Sequence, residues 1–265
     1  MSCASSTGRL LVDEPAPHVT RLTISHHGKR GALDQAILDA VAATLPRLDA
    51  RCVILTGEGD TFSAGYDLAA LREEALPVDA ERLVAHPFAA AIDAVATHPR
   101  PIVAALNGSA IGGGLELAIA CDLRIASAAA RLGMPPAKLG LVYSHTGIRK
   151  FIETIGAPRT RELFLVGDAI DADTALGWGL VNAVAPAGDL AAAAVDLARR
   201  IAANAPLAQR GNKRVITAVL DEAAAIAPAI ERELLALREA SFATEDFREG
   251  VRAFEEKRDP EFTGR

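Results

Sequence analysis

The chain has 265 residues, half of them apolar and 23% charged, with a formal net charge of -6, which describes a globular protein of one large domain or one domain with a helical tail. The acidic balance and the lack of a dense Lys/Arg run exclude a nucleic-acid groove, because phosphate neutralisation needs clustered cations. No segment reaches the ~18 continuous apolar residues of a spanning helix, and the opening residues MSCASSTGRL lack the apolar core of a signal peptide, so a soluble, cytoplasmic protein without a membrane partner is expected.

In chain order, apolar and β-branched runs at Leu10–Val12, Val19–Ile24, Cys52–Thr56, Ile102–Leu106 and Leu123–Ala126 read as strands. Between them, Ala32–Leu48 and Ala89–Ala96 repeat apolar residues at helical spacing, and Gly114–Ala120 is short and almost wholly apolar. Strand–helix alternation predicts right-handed βαβ units. Beyond about Pro186 the strand signal stops, and Leu190–Ala203, Pro206–Leu220, Ala224–Phe242 and Glu245–Lys257 read as consecutive amphipathic helices that must pack on the core or on another subunit. The chain therefore divides into an α/β part, residues 1–185, and a helical part, residues 186–265. Arg149, Arg159 and Arg161 read as a solvated helix face. Cys3, Cys52 and Cys121 are odd in number, far apart and without CxxC spacing, so neither a disulfide framework nor a zinc site is suggested.

Two glycine-bearing stretches carry the chemistry. FSAGYDL (Phe62–Leu68) and ALNGSAIGGGLELAIACD (Ala105–Asp122) can aim two backbone N–H groups at one oxygen atom. Gly112, Gly113 and Gly114 run directly into an apolar helix, so the N–H groups of its first turn and the positive end of its dipole face whatever lies ahead. Glu116 stands on that same turn, where a base can reach a carbon acid held by its carbonyl. HExxH, GxSxG, GxGxxG and a Walker loop are absent.

With these residues in view, the chain resembles the crotonase, or enoyl-CoA hydratase/isomerase, superfamily. The resemblance rests on ALD (Ala32–Asp34), VILTGEGDTFSAGYDL (Val53–Leu68), NGSAIGGGLELAIACDLRIAS (Asn107–Ser127), GLVN (Gly179–Asn182) and EGVRAFEEKRDPEF (Glu249–Phe262). It implies an α/β spiral of ββα units with a C-terminal helical trimerisation region, an acyl-CoA thioester as ligand, a homotrimer or a hexamer built as a dimer of trimers, and no cofactor beyond the coenzyme A of the substrate.

Carried over residue by residue, the resemblance puts the oxyanion donors on the backbone N–H groups of Tyr66 and Gly113, with Gly112 beside them, and the acid/base on Glu116. The Tyr66 side chain is open to two readings: lining the acyl pocket or bonding the substrate through its hydroxyl. A second glutamate that hydratases of this family use is replaced by Pro136. Tyr143 and His145 follow in the same stretch; Tyr143 is a candidate to orient a carboxylate or donate a proton, or else it packs at the acyl tunnel, and His145 either meets the substrate or caps a helix beginning near Gly147. Likeness places Ala64, Asp67 and Leu68 along the coenzyme A path and assigns Phe254 and Lys257 to a coenzyme A bound mainly by a neighbouring subunit, with Lys257 at a phosphate. Hydration of a 2-enoyl-CoA is the leading expectation. A Δ3,Δ2-enoyl-CoA isomerase, an acyl-CoA decarboxylase and a non-catalytic acyl-CoA-binding protein are the alternatives.

Overall fold

The structure is a computed structural model that describes residues 7–67, 78, 79, 81, 84–223 and 228–261. Leu68, expected on the coenzyme A path, lies outside the described residues, as do the first residues of the helix expected from Ala224.

The strands β1 (Arg9–Ala16), β2 (Val19–Ser25), β3 (Cys52–Gly57), β5 (Ile102–Leu106), β7 (Leu123–Ser127) and β10 (Ala183–Ala185) form one sheet in the order β1-β2-β3-β5-β7-β10. The β1/β2 pair is antiparallel and every later pair is parallel. A second sheet, β4-β6-β8-β9, is built from Thr61–Ser63, Ser109–Ile111, Arg131–Gly133 and Ile170–Asp171. The helices that complete the α/β part are α1 (Gln35–Thr44), α2 (Ala89–Thr97), α3 (Gly113–Ala120), α4 (His145–Arg161) and α5 (Ala172–Trp178). The chain thus runs three times from the large sheet to the small sheet to a helix: β3, β4, α2; then β5, β6, α3; then β7, β8, α4. This is the expected ββα spiral, and its repetition stacks the turn from β4 beside the turn from β6.

Local chemistry sets the element ends. Helix α1 begins later than expected because Leu33 bridges Tyr66, and Asp34 then caps the helix through the Ile37 N–H at 2.9 Å; Pro46 turns its last residues into a 3-10 turn, Leu45–Arg47. Helix α4 is capped by Ser144, whose hydroxyl accepts from the Gly147 N–H at 3.1 Å, so the capping role considered for His145 belongs to its neighbour. Along β3 the side chains alternate: Val53 and Leu55 enter the core between the sheets and helices, while Cys52 and Ile54 enter a separate core on the opposite face.

That opposite face is covered by α6 (Leu190–Ala202), whose Ala194, Ala198 and Ala202 meet Cys52, Ile54, Val103 and Ala105. Small alanines at helical spacing let the helix lie close on the sheet. The remaining helices are α7 (Pro206–Ala223), α8 (Pro228–Phe242) and α9 (Glu245–Glu256). Helix α9 is laid against the 3-10 turn Pro136–Leu139: a methyl on Gly250 would sit 2.5 Å from the Leu139 carbonyl oxygen, and one on Gly140 2.7 Å from the Asp246 carbonyl carbon. Glycine at both positions permits that approach.

Candidate active site

The FSAGYD segment is held open by its neighbours. Asn107 accepts from the Gly57 N–H at 3.0 Å and donates to the Gly59 carbonyl at 2.9 Å, tying the approach to β4. Ser63 donates to the Gly31 carbonyl at 2.8 Å and accepts from the Gly65 N–H at 3.2 Å. Leu33 donates to the Gly65 carbonyl at 2.7 Å and accepts from the Asp67 N–H at 3.2 Å. In a parallel bridge of this kind the intervening residue points its own N–H away from the partner, so the Tyr66 N–H faces away from Leu33.

The second stretch supplies a helix start with no side-chain cap. Gly112 occupies the N-cap of α3 at φ 54° and ψ -124°, and no side chain accepts from the first turn. The N–H of Gly113 therefore belongs to the group of helix-start donors that lack an intrahelical acceptor, at the positive end of the dipole. The two stretches meet directly. Gly65, at φ 91°, lies so close that a methyl on it would stand 2.7 Å from the Ile111 oxygen and 3.5 Å from the Gly113 nitrogen, and one on Gly113 would be 3.1 Å from the Tyr66 ring. Convergence of two loops remote in the chain is what a shared oxygen site requires, and both border one cavity of about 430 Å³.

This first cavity is also lined by Ala64, Gly112, Pro136, Tyr143 and Phe254, so most of the expected residues are brought together. Phe247, Gly250 and Ala253 of α9 close it over the same chain, and Phe254 thus stands at its own chain's cavity. Lys257 does not line it; it is the left-handed C-cap of α9, at φ 55°, while Arg258 borders the cavity with its guanidinium 2.6 Å from both Glu249 and Glu256. Lys138, not singled out from the sequence, also borders it and pairs with Asp168 at 2.5 Å. Asp67 is buried outside the lining, its carboxylate 2.6 Å from the Lys29 ammonium. His145 lines neither this cavity nor the next; its Nε2 is 3.6 Å from Glu231 on α8.

A second cavity of about 490 Å³ shares Tyr66, Leu141, Tyr143 and Phe242 with the first, and it contains Glu116. The Tyr66 ring, set edge-on to Phe88 with centroids 4.9 Å apart, and the Tyr143 ring, edge-on to Phe164 at 5.5 Å, form the partition. Glu116 is 4% exposed and accepts a short hydrogen bond from the Tyr143 hydroxyl. Burial pushes the Glu116 carboxyl up to about 7, against the opposing pull of the Tyr143 hydrogen bond and the Lys150 charge. The Tyr143 hydroxyl is driven well above its ordinary range, first by burial, then by the neighbouring Glu116 charge. Such a carboxyl can give or take a proton near neutrality.

Two positions around Glu116 escaped the sequence reading. Gly147 leaves the carboxylate its space, since a methyl there would stand 2.8 Å from both Glu116 Oε1 and Tyr143 Cε1. Arg149, expected on a solvated face, lines the second cavity with Lys150. The 3-10 turn Pro136–Leu139, PAKL, carries no acid where a second carboxylate would stand. Among the described residues no cluster of three or more His, Cys, Asp or Glu side chains could hold a metal ion, and no helix is long and apolar enough to cross a membrane.

Comparison with known proteins agrees with this geometry. Residues 16–265 match the family profile described as enoyl-CoA hydratase/isomerase. A Bacillus subtilis protein assigned by name to the enoyl-CoA hydratase/isomerases is 37% identical over 255 residues, spanning 93% of this chain and 95% of its own. The 2,3-dehydroadipyl-CoA hydratase of Escherichia coli is 33% identical over 93% of this chain and 96% of its own. Among solved structures, a methylmalonyl-CoA decarboxylase in complex with 2-nitronate-propionyl-CoA superposes with a TM-score of 0.87 at 27% identity, covering 99% of this chain and 100% of that one. Glycine-aimed amides, a buried glutamate and whole-length likeness lead to one conclusion: the chain belongs to the enoyl-CoA hydratase/isomerase family.

Proposed function

We propose that this enzyme binds an acyl-CoA thioester with its carbonyl oxygen at the N–H groups of Tyr66 and Gly113 and moves the substrate proton with Glu116, most directly in the hydration of a 2-enoyl-CoA. The observation that carries this is Glu116, buried, shifted to about 7 and bonded to Tyr143, on the wall of a second cavity that meets the one lined by both donor loops at Tyr66 and Tyr143. Glu116 takes a proton from water as the oxygen adds to the β carbon; the electron pair moves to the thioester oxygen, and Glu116 returns the proton to the α carbon. Two preset donors stabilise that oxyanion, and removing one typically costs about 2.7–4 kcal/mol. Tyr143 supports the reading by offering a second polar group to position the water, which the Pro136 turn does not.

Decarboxylation is the second reading. It is favoured by the absence of an acid on the Pro136–Leu139 turn and by the likeness to methylmalonyl-CoA decarboxylase. There Tyr143 orients the leaving carboxylate, and protonated Glu116 delivers a proton to the enolate carbon. A Δ3,Δ2 double-bond shift needs the same single proton carrier. In each case the proposed cofactor requirement is none beyond the coenzyme A of the substrate, and the proposed location is the cytoplasm.

A homotrimer, alone or doubled to a hexamer, is part of the proposal. It is supported by α7, which exposes Leu207, Val215, Ile216 and Val219 to more than half their accessible surface, an apolar stripe that another subunit would cover. The helical region from residue 186 then serves both assembly and closure of the first cavity. Turnover with crotonyl-CoA, a 3-enoyl-CoA and methylmalonyl-CoA tests the reaction. Hydration of crotonyl-CoA supports the first reading, exclusive conversion of one of the others selects its alternative, and thioester binding with conversion of none makes the protein a non-catalytic binder.

A further inference from the structure

We infer that the second cavity selects acyl groups ending in a carboxylate, with the Lys150 ammonium as the group that recognises it. This rests on the acyl-CoA reading and deepens it. The thioester carbonyl belongs at the Tyr66 and Gly113 end, Glu116 acts on the α and β carbons, and the second cavity lies on the Glu116 side of the Tyr66–Tyr143 partition, where the rest of an acyl chain must go.

That space is not lined as an alkyl pocket would be. Besides an apolar part that includes Phe88, Ile92, Leu141, Val142 and Phe242, its wall carries Ser144, Thr146 and two consecutive cations of α4. Arg149 is engaged by Glu153, with Nε 2.9 Å from Oε1. Lys150 is half-buried, and among the described residues no carboxylate stands within ion-pair distance of it. Asp93, on α2, is the other acid of the cavity besides Glu116 and is exposed. An alkyl end would strip water from the Lys150 ammonium and return nothing, whereas a carboxylate would pair with it.

The spacing suits a short chain. Gly147 packs directly on Glu116 Oε1, and Lys150 follows three residues later on the same helix face, roughly 4.5 Å farther along the axis. A terminal carboxylate a few carbons beyond the β carbon meets it. Glu116 and Lys150 line the same cavity, so the two groups border one space.

Calorimetric titration of the full-length protein with adipyl-CoA and with hexanoyl-CoA tests this apart from the reaction, because both acyl groups are saturated and differ at the far end. The expected result is adipyl-CoA binding at least tenfold tighter, a preference cut tenfold or more in Lys150→Met and kept in Lys150→Arg. Equal or tighter binding of hexanoyl-CoA by the wild type, or an unaltered preference in Lys150→Met, overturns the inference while leaving the acyl-CoA reading in place. Failure of the wild type to bind either thioester overturns both.

Discussion

The Tyr143 hydroxyl donates to Glu116 Oε2 across the partition between two cavities, joining a phenol and a carboxyl that are both withdrawn from water. Burial raises the Glu116 carboxyl to about 7, and the Tyr143 bond opposes that rise because it favours the ionised form. If Glu116 is the base for hydration, kcat/KM therefore rises with pH through about 7. Replacement by Gln lowers turnover by about 10²-fold or more, removes that limb and leaves coenzyme A affinity nearly unchanged. Tyr143→Phe removes a group that favours ionisation, so its limb moves to higher pH. A profile that falls through about 7 would instead assign Glu116 the acid role of the decarboxylation reading.

Stability carries the same linkage with the opposite appearance. The folded protein holds the Glu116 proton up to about 7, while an unfolded chain releases it near 4.5, so in this window the folded state binds more protons and this group's contribution falls as pH rises. Glu116→Gln lacks the titration, and its Tm relative to wild type increases from pH 5 to pH 8. A constant difference between the two melting curves across that range would show that Glu116 is not shifted upward.

Much of this site is legible along the chain because its parts are local. A glycine run entering an apolar helix places the Gly113 amide and the Glu116 carboxylate on one turn, and FSAGYDL places Tyr66 at a strand end. The strands β4, β6 and β8 are three residues each, too short to show a period of two. Gly147 and Lys150 leave no local mark either. The importance of Gly147 comes from packing on Glu116, 31 residues earlier, and that of Lys150 from lining the same cavity as Glu116, and no helical pattern on α4 encodes either. Arg258 went unmarked for a related reason: motif likeness marks a helix end to within a residue or so, and the turn at that end decides that Arg258, not Lys257, meets this chain's own cavity.

Gly147→Ala tests the packing directly. The added methyl would stand 2.8 Å from Glu116 Oε1 and from Tyr143 Cε1, and 2.9 Å from Ser144 Oγ, all side-chain atoms that can give way. The fold is retained at a cost of about 1–3 kcal/mol, but the Glu116–Tyr143 pair is displaced. The expected outcome is a kcat at least tenfold lower with KM changed much less. Wild-type kcat in a variant of lowered Tm would show that the pair tolerates displacement, and that Gly147 matters only for stability.

Arg124 secures α3, the helix that carries Glu116, at its C-terminal end. It is buried, with Nη1 donating to the carbonyls of Cys121 at 2.8 Å, Ile119 at 3.3 Å and Ala118 at 3.4 Å, and Nε donating to Leu180 at 2.7 Å. The first three are the last carbonyls of α3, where a cation also meets the negative end of the dipole. Burial lowers its pKa without discharging it. Ala118 keeps the Cys121 N–H at 3.2 Å, but Arg124→Met takes the guanidinium donors from the Ile119, Cys121 and Leu180 carbonyls and is expected to cost roughly 2–4 kcal/mol, seen as a lower denaturant midpoint at unchanged slope. Arg124→Lys recovers only part, because a single ammonium cannot reproduce the planar fork that reaches both α3 and Leu180. A midpoint equal to wild type in Arg124→Met would mean that the α3 carbonyls find other donors, and that Glu116 is held in place by the glycine-bearing end of its helix alone.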